Sequence, residues 1–200
     1  MSVRVRAPSE YNCLLEEGGV SALSERVGAT VLSTSRHDTL VIGQRLGQLL
    51  QAGDVICLQG ELGSGKTCLT QGIAAGLGVA RPVTSPTFII VNEYALAGKR
   101  HMLYHIDLYR VESVAEACAT GLEEYWSGDD VCVIEWAERA RSLLPPEHLW
   151  ITLLYRGEGL RELQFEALGA RPAEMLRGLA GVFDEVGGRP ESRPEVPACS

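Results

Sequence analysis

A three-layer α/β fold around a mostly parallel sheet is what this 200-residue sequence predicts. Three observations predict it. Two short runs, Val55-Ile56-Cys57-Leu58 and Val131-Cys132-Val133-Ile134, are apolar throughout, as strands covered on both faces must be. The first run opens directly into Gly60-Glu61-Leu62-Gly63-Ser64-Gly65-Lys66-Thr67, a glycine-rich turn that precedes a helical pattern. Strand and helix signals then alternate along the chain, the order that builds parallel sheets with helices on both sides.

Each element has its own signal. Residues 1–32 are weakly patterned and form an N-terminal extension, in which Val3 and Val5 alternate with arginines. Ser35 stands three residues before Asp38, a capping-box-like start, and Leu40, Val41, Leu46, Leu49 and Leu50 recur at helical spacing up to the turn at Gly53-Asp54. The helix after the glycine turn is expected from Lys66 to Leu77, ending at Gly78. Strands are expected from Phe88 to Val91, entered through Thr84-Ser85-Pro86-Thr87, and from Met102 to Leu108. Glu112 to Tyr125 reads as one helix, and residues 137–144 as one or two helical turns before Pro145-Pro146. Trp150–Tyr155 and Glu162–Ala167 alternate around Arg156-Gly157-Glu158-Gly159, a C-terminal β-hairpin. Arg171 to Leu179 adds a last helix. The main domain is thus placed at residues 33–183, and the Pro-, Gly- and Glu-rich residues 184–200 read as a disordered tail.

Composition narrows the functions open to the chain. A hydrophobic fraction of 46% suffices for one sizeable core, and no stretch approaches the roughly 18 apolar residues of a membrane span. The first residues lack an apolar h-region, so a soluble, cytoplasmic protein is expected. The formal charge of −8 argues against a chain whose main work is gripping nucleic-acid phosphates. Six cysteines, none in a Cys-x-x-Cys pair, suggest neither zinc nor a disulfide scaffold.

The chemistry gathers in the glycine turn. Gly60, Gly65, Lys66 and Thr67 satisfy Gly-x4-Gly-Lys-[Ser/Thr], and Lys66 is one of only two lysines in the chain. At this composition the pattern arises by chance roughly 0.003 times per sequence of this length. Glycines let the backbone wrap phosphates so that successive N–H groups face inward, and the following helix adds its positive end. Lys66 can reach the β- and γ-phosphates of a nucleotide, and the Thr67 hydroxyl can ligate Mg²⁺. The fold class sharpens to a three-layer P-loop NTPase fold.

Three further segments surround this loop. Glu135 ends the second apolar run, where a nucleotide hydrolase keeps a carboxylate near Mg²⁺; a surface glutamate closing a strand is the plain alternative. Trp136 beside it could pack in the core, stack on a base or serve a partner surface. In His105-Ile106-Asp107-Leu108-Tyr109-Arg110, His105, Asp107 and Tyr109 share one strand face. Asp107 could orient an attacking water or hold Mg²⁺ through water. His105 reads as a hydrogen-bonded structural group, a metal pair with Asp107 being the weaker option. Thr87, after Pro86, occupies a place where such enzymes often sense a γ-phosphate; alone, the segment could be any loop into a strand.

Taken in order and spacing, Gly60–Thr67, Ser85-Pro86-Thr87-Phe88, His105–Arg110 and Ile134-Glu135-Trp136-Ala137-Glu138 resemble the TsaE family, formerly YjeE. The resemblance runs from about residue 35 to about residue 168. It implies a cytoplasmic ATPase that binds ATP and Mg²⁺ and works with TsaB and TsaD in threonylcarbamoyladenosine (t6A) modification of tRNA, meeting tRNA mainly through that complex. By motif, Gly63, Ser64, Gly65, Lys66, Thr67 and Cys68 hold the phosphates. Thr67 and Glu135 ligate Mg²⁺, Lys66 and Asp107 serve hydrolysis, and Arg161 contacts the nucleotide. Two positions depart from the family: Cys68, whose thiol is a weaker donor than a hydroxyl, replaces a common threonine, and Ala137 replaces a common proline. Rival readings are a small-molecule kinase, for which Arg139 and Arg141 are the only lid candidates, a GTPase, which lacks an Asn-Lys-x-Asp loop, and a nucleotide-sensing adaptor without catalysis.

Overall fold

A computed structural model describes residues 26–86, 90–98 and 101–187. Its strands are β1 (Arg26–Ser33), β2 (Val55–Gln59), β3 (Val91–Ala95), β4 (Met102–Asp107), β5 (Val131–Glu135), β6 (His148–Tyr155) and β7 (Arg161–Leu168). The helices are α1 (Arg36–Leu49), α2 (Lys66–Leu77), α3 (Val114–Ala119), α4 (Glu123–Trp126), α5 (Ala170–Gly178) and α6 (Ala180–Gly187), with a 3₁₀ helix at Ala137–Leu143. Among the described residues, no helix is long and apolar enough to cross a membrane.

One seven-stranded sheet runs in the order β1-β7-β6-β2-β5-β4-β3. Its centre is parallel, β6 on β2, β2 on β5 and β5 on β4. Both flanks are antiparallel, made by β3 on one side and by β7 with β1 on the other. The apolar runs explain the centre: every residue of β5 is buried, as are the first four of β2. Ile56, Leu58, Val131 and Val133 face the layer of α1, α2, α5 and α6, while Cys57, Cys132 and Ile134 face α3, α4 and the 3₁₀ helix. These are the three layers expected.

Several elements differ from the sequence-based reading. Residues 26–32, unassigned by pattern, form most of β1, whose partners on β7 lie more than a hundred residues away. The third strand begins at Val91 rather than ending there; Thr87, Phe88 and Ile89 lie outside the described residues, as do Val3 and Val5. The single helix expected from Glu112 to Tyr125 is two, α3 and α4, separated where Gly121 takes φ 69°. Residues 184–187, read as tail, continue α6; the rest of that tail lies outside the described residues.

Two local features position the site. Ser35 caps α1, its hydroxyl accepting from Asp38 N, and the Asp38 carboxylate reaches back to Thr34 N and Oγ1. Helices α1 and α2 then touch backbone to backbone along Gly43, Gly47, Gly72 and Gly76. A Cβ at Gly47 would lie 2.1 Å from Ile73 O, and one at Gly76 2.1 Å from Gln44 O. This side-chain-free seam sets the height of α2, and so of the loop that feeds it.

Candidate functional site

The loop between β2 and α2 is built from backbone conformations that side chains resist. Gly65 caps α2 at φ 108°, with no side-chain hydrogen bond, so the first amides of α2 stay open to the loop. Gly60 takes φ 149°, and a Cβ there would meet Leu153 O at 2.5 Å. The loop borders a cleft of about 420 Å³, whose walls include Gly63, Gly65, Lys66, Thr67, Asp107, Glu135 and Trp136.

Lys66 is almost fully buried. Its ammonium donates to Gly60 O at 2.6 Å and Glu61 O at 2.9 Å, and lies 3.9 Å from the centroid of the Trp136 ring. Burial holds its pKa below the usual lysine value, against the opposing pull of Glu135, Glu138 and Asp107. A desolvated cation bonded only to carbonyls gains more from an incoming anion than a solvated one does.

Thr67 Oγ1 donates to Glu135 Oε2 at 3.1 Å. Glu135 closes β5 in register with Asp107 at the end of β4, so the central sheet delivers both carboxylates to one rim. The other Glu135 oxygen, Oε1, meets His105 Nε2 at 2.8 Å and Thr70 Oγ1 at 3.3 Å. Asp107 accepts from Ser85 Oγ at 2.7 Å and from Tyr109 N at 3.0 Å. Trp136 leaves the strand in the left-handed region, φ 59° and ψ 38°, the one non-glycine residue with positive φ among the described residues. That turn lays its ring over Lys66 and 5.0 Å from Tyr109. Trp136 therefore packs on the site.

The remaining candidates fall around this centre. Cys68 lines the cleft, its Sγ 3.6 Å from Arg36 O, and burial pushes its thiol pKa up, so it stands as a neutral thiol. Ser64 is buried, its hydroxyl without a hydrogen-bond partner among the described residues. Arg161 is not among the cleft walls; it donates to Ser64 O at 3.1 Å and Gly63 O at 3.5 Å, and so braces the loop through its carbonyls. His105 and Asp107 turn to different partners and do not converge as a metal pair. Neither arginine weighed as a kinase lid lines the cleft: Arg139 donates to Val111 O and lies behind the cleft rings of Trp136 and Tyr109, 5.5 and 5.6 Å from their centroids, and Arg141 stacks on Trp150.

Sequence reasoning missed Thr70 and the glycine seam, and gave Ser85, quoted only within its motif, no contact with Asp107. Thr70 was findable, one helical turn beyond Lys66 and so on the Lys66 side of α2. The oxygens of Thr67 and Glu135 suit a small hard cation, which takes one or two protein ligands and completes its shell with water and phosphate oxygens. No group of three or more His, Cys, Asp or Glu among the described residues is placed to hold a metal unaided.

A parallel strand, a glycine loop and a helix at the sheet centre, with acids ending the next two strands on one side, β5 and β4, define a P-loop NTPase-like α/β protein. Residues 33–163 match the family model described as threonylcarbamoyl adenosine biosynthesis protein TsaE. The chain belongs to the TsaE family. It is 43% identical over 140 residues to the tRNA threonylcarbamoyladenosine biosynthesis protein TsaE of Bacillus subtilis (strain 168), across 70% of this chain and 85% of that relative. The protein of the same name from Treponema pallidum (strain Nichols) is 42% identical over 132 residues, across 66% of this chain and 96% of the relative. The crystal structure of YdiB from Bacillus subtilis superposes with a TM-score of 0.66 at 34% identity, across 80% of this chain and 98% of that one.

Proposed function

We propose that this chain is the ATP-binding and ATP-hydrolysing component of the cytoplasmic machinery for threonylcarbamoyladenosine modification of tRNA, acting with TsaB and TsaD. Relatives that span most of its length carry that pathway in their names. The observation that carries the ATPase reading is the Thr67–Glu135 pair, 3.1 Å apart beneath an α2 N-terminus that also presents Lys66.

In this reading the loop amides from Gly63 to Cys68 bind phosphate oxygens. Lys66 swings from the carbonyls of Gly60 and Glu61 onto the β- and γ-phosphates. Thr67 and Glu135 would hold Mg²⁺, which when bound neutralises charge on the phosphate oxygens. Asp107 orients the attacking water with an acceptor site left over by Ser85 and Tyr109. Arg161 keeps the loop carbonyls turned away from the nucleotide. In this reading threonylcarbamoyl transfer itself is done elsewhere in the machinery.

The test is Mg²⁺-dependent ATP hydrolysis by the purified chain, alone and with TsaB and TsaD. Slow hydrolysis that rises with those partners is expected. Asp107→Ala is expected to abolish turnover while ATP still binds. Turnover surviving in that variant would refute the role of Asp107. Hydrolysis indifferent to TsaB and TsaD but stimulated by a small phosphate acceptor would replace the reading with a kinase.

A further inference from the structure

The two oxygens of Glu135 have different surroundings, and that difference has a use. Glu135 is 2% exposed, so its carboxylate depends on hydrogen bonds for stability. Oε2 faces Thr67 at 3.1 Å, on the cleft side. Oε1 is met by Thr70 and by His105. Thr70 has a single proton to give, and Lys66 O, at 3.0 Å, is a closer acceptor than Glu135 Oε1, at 3.3 Å. His105 Nε2, at 2.8 Å, is therefore the principal donor to Oε1.

The tautomer of His105 follows from its surroundings. The ring is fully buried, and Nδ1 has no hydrogen-bond partner among the described residues. A proton on Nδ1 would bury an unpaired N–H and set a lone pair against the carboxylate. A proton on Nε2 gives Glu135 a donor and leaves only a bare lone pair at Nδ1, the cheaper arrangement. The β4–β5 register pairs His105 with Val133 and Asp107 with Glu135, so His105 reaches its carboxylate diagonally from the strand that also presents Asp107.

We infer that His105 is a positioning residue: its Nε2–H pins Glu135 Oε1, so that Oε2 alone is offered, with the Thr67 hydroxyl, to a divalent cation. The inference rests on the reading of Thr67 and Glu135 as the magnesium ligands, and adds the group that orients them. It implies one-oxygen coordination by Glu135. Partners of this kind, standing behind a metal ligand, typically govern affinity by roughly 10- to 100-fold when removed.

The test compares His105→Gln with His105→Asn in the full-length chain. The longer glutamine amide restores an N–H near the place of Nε2; the shorter asparagine amide ends near Nδ1. Mg²⁺ is titrated calorimetrically into the protein with saturating ADP, and ADP affinity is measured separately in EDTA. The expected result is Mg²⁺ affinity lowered roughly 10- to 100-fold in His105→Asn and largely restored in His105→Gln, with metal-free ADP affinity unchanged in both. Equal Mg²⁺ affinity in the two variants, or a parallel loss of metal-free ADP affinity, would overturn the positioning role. A wild-type chain whose ADP complex takes up no Mg²⁺ would overturn the magnesium-site reading and this role with it. Wild-type uptake untouched by both substitutions would overturn the role of His105 alone.

Discussion

Gly47→Ala sets two opposed effects against each other, and the seam between α1 and α2 decides which wins. Alanine in a helix interior is favoured over glycine by about 1 kcal/mol. At this position the added Cβ would stand 2.1 Å from Ile73 O and 3.0 Å from Gly76 Cα, and contacts below 3.0 Å are essentially never tolerated. The two backbones must therefore part by about 0.9 Å at that point. Overpacking costs about 1–3 kcal/mol when side chains can yield, and here the obstacle is backbone, so the upper end applies. The net loss is about 2 kcal/mol, which for a chain of this size lowers Tm by about 4–8 °C. Because α2 carries Lys66 and Thr67 in its first turn, ADP affinity should fall as well. Urea and thermal unfolding measure the first effect and calorimetry the second. Gly181→Ala in α6 is the control: nothing lies within 4 Å of its Cβ, and a change between zero and about 1 kcal/mol of stabilisation is expected. A Gly47→Ala protein as stable as the wild type would mean that the seam yields, and would refute the argument that it sets the height of α2.

Two other predictions concern distant parts of the fold. Arg171 in α5 donates to both carboxylate oxygens of the buried Asp54 and to Leu49 O at 2.6 Å, so Arg171→Ala should cost about 2–4 kcal/mol in urea unfolding. Arg171→Lys should recover only part of that, having no fork, and a loss below about 0.5 kcal/mol in Arg171→Ala would show that the pair contributes nothing net. For His148, burial holds the imidazole below its ordinary 6.5, with Pro145 O opposing, Arg141 reinforcing and Glu166 opposing. The unfolded chain takes that proton first, so stability is complete above pH 6.5 and is lost as pH falls from there through the lower folded value. Between pH 7.5 and 5.5, Tm should fall less in His148→Asn than in the wild type; an equal fall would assign the acid sensitivity to other groups.

The glycine loop and its companions were legible because their signals are local. A strand covered on both faces has to be apolar at every position, which marked β2 and β5; the Gly-x4-Gly-Lys-Thr pattern marked Gly65, and glycine's ease in the left-handed region marked the end of α2 at Gly78. Lys66, Thr67, Asp107 and Glu135 were picked out by residue type at strand and helix ends, and the structure gathers them around one cleft. What the sequence could not show depends on which distant segments become neighbours. β1 carries only a short alternation, Val27, Ala29 and Val31 inward, too brief to mark a strand alone, and its place is settled by pairing with β7. Gly43, Gly47, Gly72 and Gly76 are unremarkable singly; they acquire meaning only when α1 and α2 cross with nothing between them. The direction of Glu135 is set by His105 from β4 and Thr67 from α2, and the loop is braced by Arg161 from β7, each brought from tens of residues away. By itself the sequence determined which backbone shapes and reactive groups exist, since φ, burial and hydrogen bonding are local costs that each residue meets where it stands. Tertiary packing alone decided which oxygen of Glu135 faces the cleft, because that choice belongs to the neighbours and not to the residue.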